Sequence, residues 1–221
     1  MWMRGEFCSL MIYTDDWAFV HIPKTGGVNF KRRIPKELIK GEFHYPKDTK
    51  VPLYYWWHQP ISYQIEHNSN LSNIHWITIV RHPADRLMSY YLFVKRRLVE
   101  FDLPDWNITL EDYIKNNGMK NLYENGVNGY NYFPQFVSEG GVWKPYNSQC
   151  YWVFEFNNVL TFRMEDQLKD LEDYVGFRLQ RRGCTMLPTI NDSWKTYYTD
   201  EMREIVYERY RQDFESFGYN V

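Results

Sequence analysis

The stretch 74–80, IHWITIV, constrains the fold more than any other part of the chain. It is β-branched and aromatic, holds no turn former, and barely alternates between apolar and polar. A strand with one wet face alternates; a run that is apolar on both sides belongs to a strand covered on both faces, which is the situation of a parallel strand between helical layers. The chain then turns at Arg81-His82-Pro83, where a proline suits a first helical position because its missing N–H has no partner there anyway. Leu87, Tyr90, Tyr91, Val94 and Leu98 follow at helical spacing, which predicts a helix over 84–99.

The same strand-to-helix unit recurs. Residues 17–22 (WAFVHI) read as a strand running into Pro23-Lys24-Thr25-Gly26-Gly27, and 28–39 reads as the helix after it. Residues 53–57 (LYYWW) are a second candidate strand, with a helix over 60–67. Residues 158–164 (NVLTFRM) are another, followed by a helix over 165–174 that Gly176 ends. Thr109 and Asp112 form a capping-box pattern before a short helix. Thr199 caps a last helix carrying Met202, Ile205, Val206 and Tyr210 on one face. Residues 117–147 are rich in Gly, Asn, Tyr and Pro and read as irregular, and 178–198 as loop. Strands alternating with helices predict one α/β domain over 1–221, a central, mostly parallel sheet flanked by helices.

Composition excludes several classes. With 26 basic and 28 acidic residues the net charge is −2, which argues against a whole-surface nucleic-acid binder but leaves room for a local anion site. A 44% hydrophobic and 24% charged mix excludes wholesale disorder. Cys8, Cys150 and Cys184 are an odd number with no CxxC pair, so neither a disulfide framework nor a zinc knuckle is expected, and no metal site. No apolar run approaches the ~20 residues of a membrane span. The first residues lack a secretory apolar region of about 7–15. The expectation is a cytoplasmic protein without a membrane or nucleic-acid partner.

Two strand-to-helix turns carry candidate chemistry. In His21-Ile-Pro-Lys-Thr-Gly-Gly27, a glycine turn aims successive backbone N–H groups and a helix N-terminus at one spot, and Lys24 adds a full charge: a phosphate cradle. It is not the nucleotide-hydrolase P-loop, whose lysine follows the glycines, and no GxGxxG occurs. In Arg81-His-Pro-Ala-Asp-Arg86-Leu-Met-Ser89, Arg81 closes the best strand, and ligands of open α/β sheets bind at the carboxyl ends of strands. Ser89 follows on the first turns of the next helix. Either turn alone reads equally as an ordinary junction with local ion pairs. Together, on one sheet edge, they fit a nucleotide carrying phosphate at two separate positions.

FVHIPKTGG resembles the 5′-phosphosulfate loop of the sulfotransferases, above all their Golgi-type carbohydrate branch. IVRHPADRLMSYY is similar to their 3′-phosphate motif, Arg-x-Pro-x-x-Arg-x-x-Ser-x-Tyr. TFRMEDQLKDLEDYVGF and the closing helix with its Asp-x-x-x-Phe-Gly-Tyr end extend the resemblance from about residue 17 to the C-terminus. It implies a P-loop-like sheet and metal-independent transfer of a sulfuryl group from 3′-phosphoadenosine 5′-phosphosulfate (PAPS) to an acceptor hydroxyl, with carbohydrate the expected acceptor. It also implies that Lys24 meets the 5′-phosphate and stabilises the leaving group. Thr25, Gly26, Gly27, Val28 and Asn29 would wrap the phosphate through the backbone, and Arg81 and Ser89 would hold the 3′-phosphate. Val28-Asn29 departs from the family, which carries hydroxyls there. Arg86 reads as a brace for the loop, and Arg181-Arg182-Gly183 as a candidate lid. The irregular 117–157 segment would wall the acceptor site.

Transfer to an alcohol needs a general base near the acceptor oxygen. His58, between the two phosphate motifs and similar to a family histidine in that interval, is the candidate; His82, Glu66 and His21 are the alternatives. The basic run Lys31, Arg32, Arg33, Lys36, Lys40 reads as a solvated helix face or an attractor for a polyanionic acceptor. The aromatic clusters at 54–57, 130–133 and 151–156 read as core or as sugar-stacking surface. Two other readings stay open: a P-loop-like kinase, and a nucleotide or polyanion binder without turnover.

Overall fold

The computed structural model describes residues 12–42, 58–100, 108–115, 147–179 and 194–221. The expected strand at 53–57, the candidate lid at 181–183 and residues 117–146 of the expected acceptor wall lie outside them.

The sheet has five strands: β1 (Ile12–Tyr13), β2 (Trp17–Phe19), β3 (Gly41–Glu42), β4 (His75–Val80) and β5 (Val159–Arg163). Their order is β3-β1-β2-β4-β5. The three strands β2, β4 and β5 are parallel, and β1 and β3 add a short antiparallel edge. The expectation of an α/β domain with a mostly parallel sheet therefore holds, with a short antiparallel edge added. As the unbroken apolar run of β4 required, it is covered on both faces. Ala18, Val20, Ile22, Trp76 and Val80 point one way, onto Ile61 and Trp152. Trp17, Phe19, Ile77 and Ile79 point the other, onto Phe30, Leu171 and Val175.

The helices are α1 (Gly27–Lys31), α2 (Ile61–His67), α3 (Pro83–Glu100), α4 (Leu110–Lys115), α5 (Leu168–Val175), α6 (Trp194–Tyr197) and α7 (Asp200–Phe217). A third cluster, with Leu87, Tyr91, Tyr113, Trp194, Met202, Val206 and Tyr210, joins α3, α4, α6 and α7 into a helical layer. Local signals set the ends. Thr199 Oγ1 accepts from Met202 N–H at 3.2 Å, and Gly218 (φ 66°) closes α7. The Thr109–Asp112 capping box forms, with Asp112 N–H on Thr109 Oγ1 at 3.0 Å.

The helix expected over 28–39 is corrected. It stops at Lys31, and only a 3-10 turn, Lys36–Leu38, follows. Pro35 is the physical reason, since it has no N–H and its ring clashes with the preceding turn. The basic run of residues 31–40 consequently spans a helix end and two turns, not one helical face.

Candidate active site

Parallel pairing puts the ends of β2 and β4 on one sheet edge, and both signature turns open there. The first turn is shaped through its carbonyls. Four consecutive ones are each taken by a side chain: His21 O accepts from His58 Nδ1 at 2.8 Å, and Ile22 O from Thr25 Oγ1 at 3.0 Å. Pro23 O accepts from Arg86 Nε at 3.0 Å, and Lys24 O from Arg81 Nη1 at 3.0 Å. With its carbonyls engaged, the loop enters α1 so that the first amides, which have no intrahelical acceptor, face outward from the helix start. Gly26 adopts φ 89°, and Asn29 N–H and Phe30 N–H both return to its carbonyl.

Lys24 has φ 68°, which no other described non-glycine residue shares in sign. A left-handed lysine costs about 1–2 kcal/mol, so the carbonyl bonds on either side over-determine the conformation. Its Nζ lies 4.3 Å from the centre of the Phe93 ring. A side chain at Gly27 would have to displace His21, because a Cβ there would lie 2.0 Å from His21 Cδ2. Val28 and Asn29 are half-buried on the first turn of α1, and neither side chain carries a hydroxyl.

The second turn supplies two buried arginines with different jobs. Arg86 is used up on the scaffold: besides Pro23 O it donates Nη1 to Asn147 O at 2.8 Å and stacks over Trp152. Burial pushes its pKa below the ordinary value, opposed mainly by Asp213. Arg81 is 3% exposed, pairs through Nε with Asp85 Oδ2 at 2.7 Å, and keeps Nη2 buried with no hydrogen-bond partner. Ser89 is buried one turn beyond Asp85 on the same face of α3. Among the described residues the Nη2–H of Arg81 has no partner, and its guanidinium stands near the glycine loop through the Nη1 bond to Lys24 O, an arrangement suited to an anion.

His58 comes from just before α2, and its carbonyl accepts from Trp152 Nε1 at 2.9 Å. A carbonyl only accepts, so Nδ1 carries the proton shared with His21 O and Nε2 carries the lone pair. The ring is buried and its pKa falls to about 3, first through burial, with the Lys31, Lys24 and Arg86 charges adding to it. His21 lies with its ring centre 4.3 Å from that of His58, buried, with Nδ1 unpartnered. Burial, then His58, Lys31 and Lys24, hold its pKa well below the ordinary value. Both rings are neutral at physiological pH.

The alternatives for the base fare differently. His82 stacks on Trp194 at 4.4 Å and donates Nε2–H to Asn220 O at 3.0 Å, so it ties α3 to the C-terminus. Glu66 is exposed on α2. A family model described as the sulfotransferase family matches residues 10–220 of this chain. The chain belongs to the sulfotransferase family. No curated protein matches it. Membership points to sulfuryl transfer and makes the chain a transferase. No described helix is long and apolar enough to cross a membrane, and no described cluster of His, Cys, Asp or Glu could hold a metal.

Sequence reasoning missed Gln149. Its amide brackets the Arg81 peptide, taking Arg81 N–H on Oε1 at 2.9 Å and giving Nε2–H to Arg81 O at 2.8 Å. Asp213, fully buried behind Gln149, is the first residue of the Asp-x-x-x-Phe-Gly-Tyr ending, to which the sequence reading assigned no role. A signal existed for Asp213: it continues the apolar stripe Met202, Val206, Tyr210 of α7, and a carboxylate on a buried stripe must be paired.

Proposed function

We propose that this sulfotransferase uses PAPS as donor and a sugar hydroxyl as acceptor, with His58 as general base and Lys24 as the leaving-group cation. The observation that carries the reading is the His58 tautomer: the Nδ1–H bond to His21 O leaves the Nε2 lone pair as the proton acceptor, in the same loop that presents Lys24. The donor supplies the sulfuryl group, whose bond to the 5′-phosphate oxygen breaks as the acceptor oxygen bonds to sulfur. Thr25 to Val28 would bind the 5′-phosphate through the backbone, Asn29 N–H being taken by Gly26 O, and Arg81 and Ser89 would take the 3′-phosphate. Lys24 would neutralise the charge left on the phosphate, and Nε2 would take the hydroxyl proton. A neutral His58 needs no deprotonation first. Its low basicity comes from burial and nearby cations, and a polyanionic nucleotide on those cations would offset the second cause.

The sugar reading draws on Tyr151 and Phe154, which are 42% and 67% exposed beside Trp152, the residue that bonds His58. Exposed aromatic faces suit the apolar face of a sugar ring.

The test is calorimetric titration with adenosine 3′,5′-bisphosphate, without metal, beside ATP with magnesium, followed by transfer from labelled PAPS to a panel of saccharides. Lys24→Ala should lose both binding and transfer. His58→Ala should keep binding and lose transfer. Preference for ATP with magnesium would refute the donor assignment in favour of a kinase. Binding of the bisphosphate with transfer unaffected by His58→Ala would refute the base.

A further inference from the structure

We propose that Gln149 and Asp213 are positioning residues that fix Arg81 for recognition of the second phosphate; the inference rests on the donor reading above. Arg81 stands one residue past the end of β4, where its neighbours no longer pair with it as strands. Gln149 takes their place. Its side-chain amide, fully buried, pairs with both the N–H and the C=O of residue 81 as an adjacent strand would.

Gln149 is in turn held from the opposite end of the chain. It begins the 3-10 turn Gln149–Trp152, whose first amides have no partner inside the turn. The Asp213 carboxylate of α7 supplies one. It accepts from Gln149 N–H at 2.8 Å, from Cys150 N–H at 3.1 Å and from the Ser148 hydroxyl. Gln149 Nε2–H reaches the same carboxylate at 3.4 Å, and a fully buried carboxylate with four donors is a fixed point, because moving any donor strands a charge away from water.

The chain of contacts then runs from Asp213 to the turn, from the turn through Gln149 to the Arg81 backbone, and from Asp85 and Lys24 O to its guanidinium. Only Nη2 is left buried and unpartnered. A guanidinium fixed at its backbone and at two of its nitrogens presents the third without further ordering. That is what a single added phosphate would read. The 3′-phosphate should therefore depend on Gln149 and Asp213, while the 5′-phosphate, bound by the glycine loop, should not.

The experiment compares adenosine 3′,5′-bisphosphate with adenosine 5′-monophosphate by calorimetry on the full chain. Gln149→Met keeps the length and removes the amide. It should weaken the bisphosphate about tenfold while the monophosphate changes less than about twofold. Asp213→Asn should move the ratio in the same direction. A role confined to stability would lower Tm and weaken both nucleotides alike, and that result, or an unchanged ratio in the folded variants, overturns the proposal. If neither variant folds, amide hydrogen exchange on the unaltered protein decides. The bisphosphate, and not the monophosphate, should slow exchange at Arg81, Gln149 and Cys150, and equal protection by both overturns it. Failure of the unaltered protein to bind either nucleotide refutes the donor reading and this inference with it; binding with an unchanged ratio refutes this inference alone.

Discussion

Acidification should cost this protein stability through His58 by an amount that can be worked out. The ring is buried, and its pKa drops from the ordinary 6.5 to about 3. Burial is the main cause, the lysine and arginine charges add to it, and the bond to His21 O opposes it. Between those two values the unfolded chain binds a proton that the folded chain refuses. Stability is therefore fully present above the unfolded value and falls as pH falls through the window. At pH 5 the unfolded state has gained about 2 kcal/mol relative to pH 7 from this ring alone. The comparison is with His58→Asn, whose amide can still donate to the His21 carbonyl but does not titrate. Urea unfolding followed by tryptophan fluorescence at pH 7 and pH 5 gives both stabilities. The excess stability of the unaltered protein over the variant should shrink by about 2 kcal/mol between the two pH values. His21 and the carboxylates titrate in both proteins and cancel to first order. A difference constant within about 0.5 kcal/mol would refute a buried neutral His58, and with it the tautomer argument for the base.

Four further outcomes follow from local geometry. Gly27→Ala places a methyl 2.0 Å from His21 Cδ2 and should cost about 1–3 kcal/mol in thermal unfolding. Gly176→Ala, with φ 79° and open space around it, should cost only the backbone term of about 1–2 kcal/mol. Lys24→Gly relieves a positive φ but gives up the contact with Phe93, so stability should stay within about 1 kcal/mol while nucleotide binding collapses. Thr199→Ala removes the cap on Met202 N–H and should lower stability by about 1 kcal/mol, measurable by denaturant midpoint, with nucleotide affinity unchanged.

What the sequence revealed follows from the range of the physics involved. β4 was legible because burial on both faces leaves an unbroken apolar run, and α7 because its cap and stripe are local. Even α1 failed for a local reason, the proline at 35. Strands β1 and β3 are two residues each, too short to carry a period. The residues of both signature turns were legible as types, but not their geometry. The donors that shape the first loop come from 37, 57 and 63 residues away. Gln149 reaches Arg81 across 68 residues from a segment that reads as irregular. No spacing rule spans such distances. Only the buried carboxylate on the apolar face of α7 announced that something polar waited opposite.

The engaged carbonyls of residues 21–24 also bear on when a nucleotide can first bind. Two of their four donors, Arg81 and Arg86, come from the end of β4 and the start of α3. An emerging chain that ends before residue 81 has the signature loop in its sequence but lacks the donors to Pro23 O and Lys24 O. Affinity should then appear in one step with the native state and be absent from partly folded forms. The nucleotide would act as a pure native-state ligand, adding about 2.7 kcal/mol of apparent stability at a hundredfold excess over its Kd. In a cell, donor supply would then help decide how much of this sulfotransferase survives proteolysis, not only how fast it works.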